Sequence, residues 1–303
     1  MTSRQAISIF IVGMFALTAS CNAAEESLTL RKIKETGLIS IGYRDGSIPF
    51  SYLDEHQEPI GYSMDLCLRV VDAVKRRLEL DELQVKYMPV NSSTRGPMVA
   101  NNTIDLECGT TTNTVERQRH VAFAVTTFVA GSRFVVRRDS AIRTVDDLRR
   151  KTVVSTAGTT SIGLLADLNA TRSLGMNILA GKDHLQSFQM VENQRAAAFM
   201  MDDVLLYGLI AVTEDPSMFV VVGEPLSVEP YAIALRKGDP VFKRLVDDTI
   251  VGLFRSGEIF ALYRKWFGSI LPGYHANLAL PMSAALKKVI ARPTDSGNPA
   301  DYR

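Results

Sequence analysis

Between residues 38 and 123 the chain alternates strand-like and helix-like hydrophobic patterns. Residues 38–43 alternate as a strand. Residues 65–80 carry Leu66, Val70, Val71, Val74 and Leu78 on one helical face. Residues 83–87 alternate again, and residues 93–99 suit a short helix behind a capping Ser or Thr. Residues 104–107 and 121–123 are apolar runs of strand length. Strands separated by helices rather than by tight turns need crossover connections, so this pattern predicts an α/β unit built on a parallel sheet.

The same alternation begins again downstream. Residues 128–136 form a long extended run with Gly131 at its centre, which reads as a crossing into a second unit. That unit runs through residues 145–149, 152–155, 161–169, 177–179, 184–193, 196–200 and 204–212 to a last apolar run at 219–222. Residues 231–236 are extended and read as the crossing back. The periodic stretches 239–254 and 259–267 then rejoin the first unit as helices. At 303 residues there is chain enough for two lobes. The expected organisation is a signal peptide at 1–24, one lobe from 25–130 plus 224–303, and a second lobe from 131–223 inserted in the first. The tail beyond Pro293 is polar, contains Pro and Gly, and is expected to be mobile. Two such lobes joined by two strands form a cleft at their strand ends and permit closure around a ligand.

Charge narrows the function. Lys and Arg number 34 against 33 Asp and Glu, a formal net charge of +1, which argues against nucleic acid as a partner. Arg4 is the only charge before Glu25, and residues 8–19 form an apolar stretch followed by Ser20, Cys21, Asn22, Ala23 and Ala24. This is the layout of an export signal, too short to span a membrane comfortably. Cleavage after Ala23 or Ala24 is expected, with lipidation of Cys21 as the alternative. Export makes a Cys67–Cys108 disulfide permissible, and two buried free thiols are the other reading. Four histidines without ligand spacing predict no metal site, and no cofactor is expected.

The chemistry concentrates at residues 105–117. An apolar strand delivers the chain into Thr110, Thr111 and Thr112, and a helix is expected to start at Thr114 with Arg117 in its first turn. Hydroxyls and free backbone N–H groups beside a guanidinium make a receptor for a carboxylate. Arg44 and Arg95 occupy similar strand-to-loop positions upstream. No activated nucleophile accompanies them, so the arrangement holds a small anion rather than converting it.

These segments, taken in order, resemble the bacterial extracellular solute-binding proteins of polar amino acid ABC transport, specifically the glutamate/aspartate-binding branch. The resemblance is carried by Gly42-Tyr43-Arg44 with Pro49-Phe50-Ser51-Tyr52, by Gly61 to Cys67, and by Ser92 to Arg95. It continues through residues 105–117, Gly158 to Ser161, Lys182-Asp183-His184 and Ala198 to Asp203. It covers essentially the whole chain after the export signal. It implies a two-lobed periplasmic binding protein fold of type II, each lobe a central sheet flanked by helices, with a two-strand hinge. It also implies that Arg117, helped by Thr110 and Thr112, grips an α-carboxylate, and that Asp202 pairs with the α-ammonium. Thr160 would donate from a helix start, while Arg44, Ser92, Arg95 and His184 surround the side-chain carboxylate. Thr110 stands where many relatives have Ser. The implied protein is a periplasmic monomer that binds L-glutamate or L-aspartate and serves an ABC permease in the inner membrane.

Two other classes compete. A periplasmic dehydratase-like enzyme on the same scaffold would need a general acid or base, for which Glu107 and His184 are the candidates. A ligand-sensing module would need a membrane receptor as its partner.

Overall fold

The computed structural model describes residues 27–303. The expected export signal, its cleavage point and Cys21 lie outside them.

The first unit begins with helix α1 (Leu28–Thr36) and strand β1 (Leu38–Tyr43). A small antiparallel sheet follows, of β2 (Gly46–Ser47), β3 (Ser51–Leu53) and β4 (Pro59–Ile60). Helix α2 (Tyr62–Leu78), β5 (Gln84–Pro89), α3 (Arg95–Ala100), β6 (Leu106–Glu107) and β7 (Ala122–Phe123) come next. Strand β8 (Phe128–Ala130) leads out, and β9 (Ser132–Arg137) opens the second unit. That unit comprises β10 (Thr152–Thr156), α4 (Thr160–Thr171), β11 (Asn177–Gly181), α5 (His184–Glu192), β12 (Ala198–Asp202), α6 (Asp203–Val212) and β13 (Phe219–Val222). Strand β14 (Glu229–Tyr231) leads back to β15 (Ala234–Leu235), α7 (Pro240–Ser256), α8 (Glu258–Phe267) and α9 (Ala284–Ala291).

Two five-stranded sheets result, in the orders β5-β1-β6-β15-β7 and β11-β10-β12-β9-β13. Neither is purely parallel. Strand β15 runs antiparallel to both β6 and β7, because it enters the first sheet from the return crossing. Strand β9 is antiparallel to β12 and β13 for the matching reason. The two crossings, β8 and β14, pair antiparallel with Glu229 opposite Ala130 and Tyr231 opposite Phe128.

Strand β1 is buried along Ile39–Gly42, as a strand covered on both faces should be. The stripe of α2 packs Cys67, Val70 and Val74 into the same core as Val246 and Ile250 of α7. Phe50 sits edge-on to Tyr62, Phe128, Tyr231 and Phe267, with ring centroids 4.9–6.0 Å away. Each such pair adds about 0.5–1.5 kcal/mol beyond area burial. Phe50 and Tyr52 are therefore core residues rather than ligand platforms. Cys67 and Cys108 are joined in a disulfide that ties α2 to the end of β6, which decides between the two readings of these thiols.

The segment beyond Pro293, expected to be mobile, packs against the first unit in this structure. Tyr302 is buried, and its hydroxyl donates to the Ser296 carbonyl at 2.6 Å. Composition alone missed this because a few backbone acceptors and one aromatic anchor hold an otherwise polar strand of chain. Among the described residues, no helix is long and apolar enough to cross a membrane.

Candidate functional site

Strands β1, β5 and β6 run parallel and in register, so their carboxyl ends share one edge of the first sheet. From that edge emerge Arg44, the Asn91–Arg95 turn and the Cys108–Thr112 loop. Strands β10, β11 and β12 do the same in the second sheet, and release Gly158–Thr160, Asp183–His184 and Asp202. The two edges face each other. Arg117 Nη2 donates to the Gly158 carbonyl at 3.2 Å, and Arg44 Nη2 lies 3.5 Å from His184 Nε2. A Cβ placed on Gly158 would come within 2.7 Å of Ser93 Oγ and 2.9 Å of the Ser92 carbonyl. The two units are apposed around the site.

No α-helix starts at Thr114. Arg117–Arg119 forms a single 3-10 turn, because the chain must enter β7 at Ala122, only a few residues later. The capping signal is nevertheless real: Thr114 Oγ1 accepts from the Arg117 N–H at 3.1 Å. Arg117 is thus held by local hydrogen bonds rather than by a helix dipole. Its Nη1 donates to the Thr112 carbonyl at 2.9 Å.

The guanidinium cluster is buried. Arg44 is 2% exposed and Arg95 5%, and Arg117 is partly exposed. Arg95 Nη1 lies 3.9 Å from Glu107 Oε1, and Glu107 Oε2 accepts from Thr111 Oγ1 at 2.6 Å. Several buried polar atoms nonetheless have no hydrogen-bond partner: Nε and Nη1 of Arg44, Nη1 of Arg95, Ser92 Oγ and Glu107 Oε1. Unmet buried donors cost about 1–3 kcal/mol each, more when charged. Burial, and then the neighbouring Arg95, push both Arg44 and Arg117 down to about 10. Both therefore stay charged near neutral pH.

His184 is held well below its ordinary value by burial and then by Arg44 and Arg95. It is therefore neutral. An arginine can only donate, so Nε2 accepts, and Nδ1 carries the proton toward Thr156 Oγ1 at 2.9 Å. The ring contributes hydrogen-bonding geometry, not charge.

Asp202 immediately precedes α6 but makes no side-chain cap. Asp203 Oδ1 accepts from the N–H groups of Val204 and Gly131. The Asp202 carboxylate accepts instead from Ser132 Oγ at 3.0 Å, from Ser161 Oγ at 3.3 Å and from the Tyr231 hydroxyl. Burial, and then the nearby Glu229 carboxylate, raise its acid above the usual range. Thr160 Oγ1 donates to Glu229 Oε2 at 2.8 Å.

The expected residues are divided among separate recesses. Ser92, Arg95 and Arg117 share a cavity of ≈ 560 Å³ with Glu107 and Thr111. Thr112, Arg117 and Thr160 line a second of ≈ 750 Å³, and Arg44 and His184 a small one of ≈ 120 Å³. Thr110 and Asp202 are buried and line none of these three. The residue pattern did not point to Glu229, Tyr231 or Ser132, and it gave Gly158 and Ser161 no role of their own within the segment Gly158 to Ser161. A Glu-Pro-Tyr run in an otherwise apolar crossing was the available signal for the first two.

The family model for bacterial extracellular solute-binding proteins, family 3, matches residues 39–269. The chain is 52% identical over 280 residues to the L-glutamate/L-aspartate-binding protein of Pseudomonas aeruginosa, covering 92% of this chain and 93% of that one. It is 42% identical over 285 residues to the glutamate/aspartate import solute-binding protein of Escherichia coli, covering 92% and 94%. Among solved structures, the cysteine-binding protein of Campylobacter jejuni superposes with a TM-score of 0.69 at 26% identity, covering 78% of this chain and 92% of that one.

Proposed function

The chain belongs to the bacterial extracellular solute-binding proteins of family 3, and from that membership we propose that it captures L-glutamate or L-aspartate between its two lobes for an ABC import system. It is a binding protein rather than an enzyme, as its curated relatives are. The observation that carries the choice of ligand is the set of buried guanidinium N–H groups without acceptors on Arg44 and Arg95. A carboxylate satisfies them in the bidentate manner that arginine favours.

Arg117, with Thr110 and Thr112, takes the α-carboxylate. Asp202 takes the α-ammonium. Thr160 donates from the start of α4. Arg44, Ser92, Arg95 and His184 enclose the side-chain carboxylate. Glu107 balances part of the guanidinium charge through Arg95, and its Oε2 accepts from Thr111. Export to the periplasm and delivery to an inner-membrane permease complete the proposal. The amide of glutamine would leave buried guanidinium charge uncompensated.

Calorimetry on ligand-stripped protein with L-glutamate, L-aspartate and L-glutamine tests this reading. Saturable binding of both acids is expected, with glutamine weaker by about tenfold or more, the equivalent of one charge-assisted hydrogen bond. Absence of saturable heat with the acids, or equal affinity for glutamine, refutes it.

A further inference from the structure

The family match ends at residue 269, yet the chain beyond it returns to the site. We propose that the segment 294–302 is a strap that positions the loop carrying Arg117. This rests on the reading of Arg117 as the α-carboxylate anchor.

Hydrogen bonds and one ion pair define the strap. The Thr126 N–H donates to the Thr294 carbonyl at 2.8 Å, and Lys243 Nζ holds Asp295 Oδ2 at 2.8 Å. With Asp295 fixed, its carbonyl accepts from Asn113 Nδ2 at 2.8 Å and from Gln118 Nε2 at 3.0 Å. Gln118 Nε2 also donates to Asn113 Oδ1 at 2.9 Å. Asn113 follows the Thr112 carbonyl that accepts from Arg117, and Gln118 follows Arg117 itself, so one strap carbonyl clamps both ends of the loop. Tyr302 closes the far end: its hydroxyl donates to Ser296 and accepts from Thr126 Oγ1 at 2.8 Å.

Gly297 shows how closely the two segments are fitted. A Cβ there would stand 2.6 Å from the Val115 nitrogen and 2.8 Å from the Thr114 carbonyl carbon, both backbone atoms of the Arg117 loop. Its φ lies outside the left-handed region, so the close approach, not backbone conformation, is what requires glycine. Beyond it, Pro299 and Arg303 line the same cavity as Thr112, Arg117 and Thr160. The strap therefore reaches the ligand cavity without supplying a group that grips the ligand.

The test uses the full chain with Gly297→Ala, and separately with Asn113→Ala and Gln118→Ala combined. The pair removes the clamp while leaving the strap backbone intact. Hydrogen-exchange mass spectrometry on ligand-free protein is read beside calorimetry with L-glutamate. The strap predicts faster exchange confined to about residues 112–121 and a loss of affinity of about tenfold or more. Affinity within about twofold of the parent despite a loosened loop overturns it. So does unchanged exchange across 112–121, or protection lost throughout the chain, which marks a general folding defect. If the parent chain takes no acidic amino acid, the proposed function fails, and the exchange measurement still decides whether the strap holds the loop.

Discussion

Arg44 is a side chain whose burial disfavours its own charge. It is buried, two of its nitrogens have no partner, and Arg95 repels it. Replacing it by methionine, which fills similar space without charge, should raise the melting point of ligand-free protein. The expected rise is about 2–4 °C for each kcal/mol gained. The same variant should bind L-glutamate at least about tenfold more weakly. A lower melting point with affinity intact contradicts this assignment, and thermal melting with calorimetry reads both. Asp202 makes a pH prediction. Its acid is pushed up to about 7 by burial and Glu229, so the ligand-free fold holds this proton more tightly than the unfolded chain, whose value is near 3.8. This group therefore favours the fold most at low pH, and that contribution is lost as pH rises through the raised value. An ammonium beside Asp202 favours the ionised form, so binding should release a proton. Affinity should rise between about pH 5.5 and about pH 8, with calorimetric heats that depend on the buffer's ionisation enthalpy. Asp202→Asn should flatten that profile; an unchanged profile sinks the ammonium role. Individually these residues were not legible. Arg44 and Asp202 entered the expected site through the family resemblance; the burial of Arg44 at the end of β1 and the hydrogen bonds of Asp202 to Ser132 and Ser161 depend on the fold.

At the level of elements, what could be read depended on length. Helices α2, α7 and α8 repeat their apolar stripe over several turns, and their positions followed from it. Strands β6 and β7 are only two residues each, and their place in the sheet is decided by β15, which arrives from more than a hundred residues downstream. The helix expected at Thr114 failed because capping chemistry marks where a turn starts, not how long it lasts. The Cys67–Cys108 disulfide was beyond local pattern, since helix and strand meet only through the fold. It holds α2 against the loop that begins at Cys108, where Ser63 Oγ also donates to the Gly109 carbonyl at 2.7 Å. Its sequence separation of 41 residues predicts that the Cys67→Ser, Cys108→Ser pair loses about 4 kcal/mol of unfolding free energy. Urea denaturation of ligand-free protein measures this, and an unchanged midpoint would show that the bond does not restrain the unfolded chain.

For the whole molecule, the governing fact is that two sheet edges meet, joined by the paired crossings β8 and β14. The order of strands and helices made the two-unit plan readable in advance. The approach of one unit to the other was not, because it depends on side chains far apart in sequence. Gly158 sits at that meeting with a φ of 75° and no room for a side chain against Ser92 and Ser93. Gly158→Ala should hold the lobes slightly apart. Its acid-saturated form should then give a larger radius of gyration by X-ray scattering than the parent, and bind at least about tenfold more weakly. Equal radii and equal affinities would show that this contact plays no part in closure. The most direct measurement of all is a crystal structure of the protein with L-glutamate. The expected structure has the α-carboxylate on Arg117, the ammonium on Asp202, and the side-chain carboxylate accepting from the N–H groups of Arg44 and Arg95 that now lack partners. Glutamate seated elsewhere, or seated with those N–H groups still unmet, would contradict it.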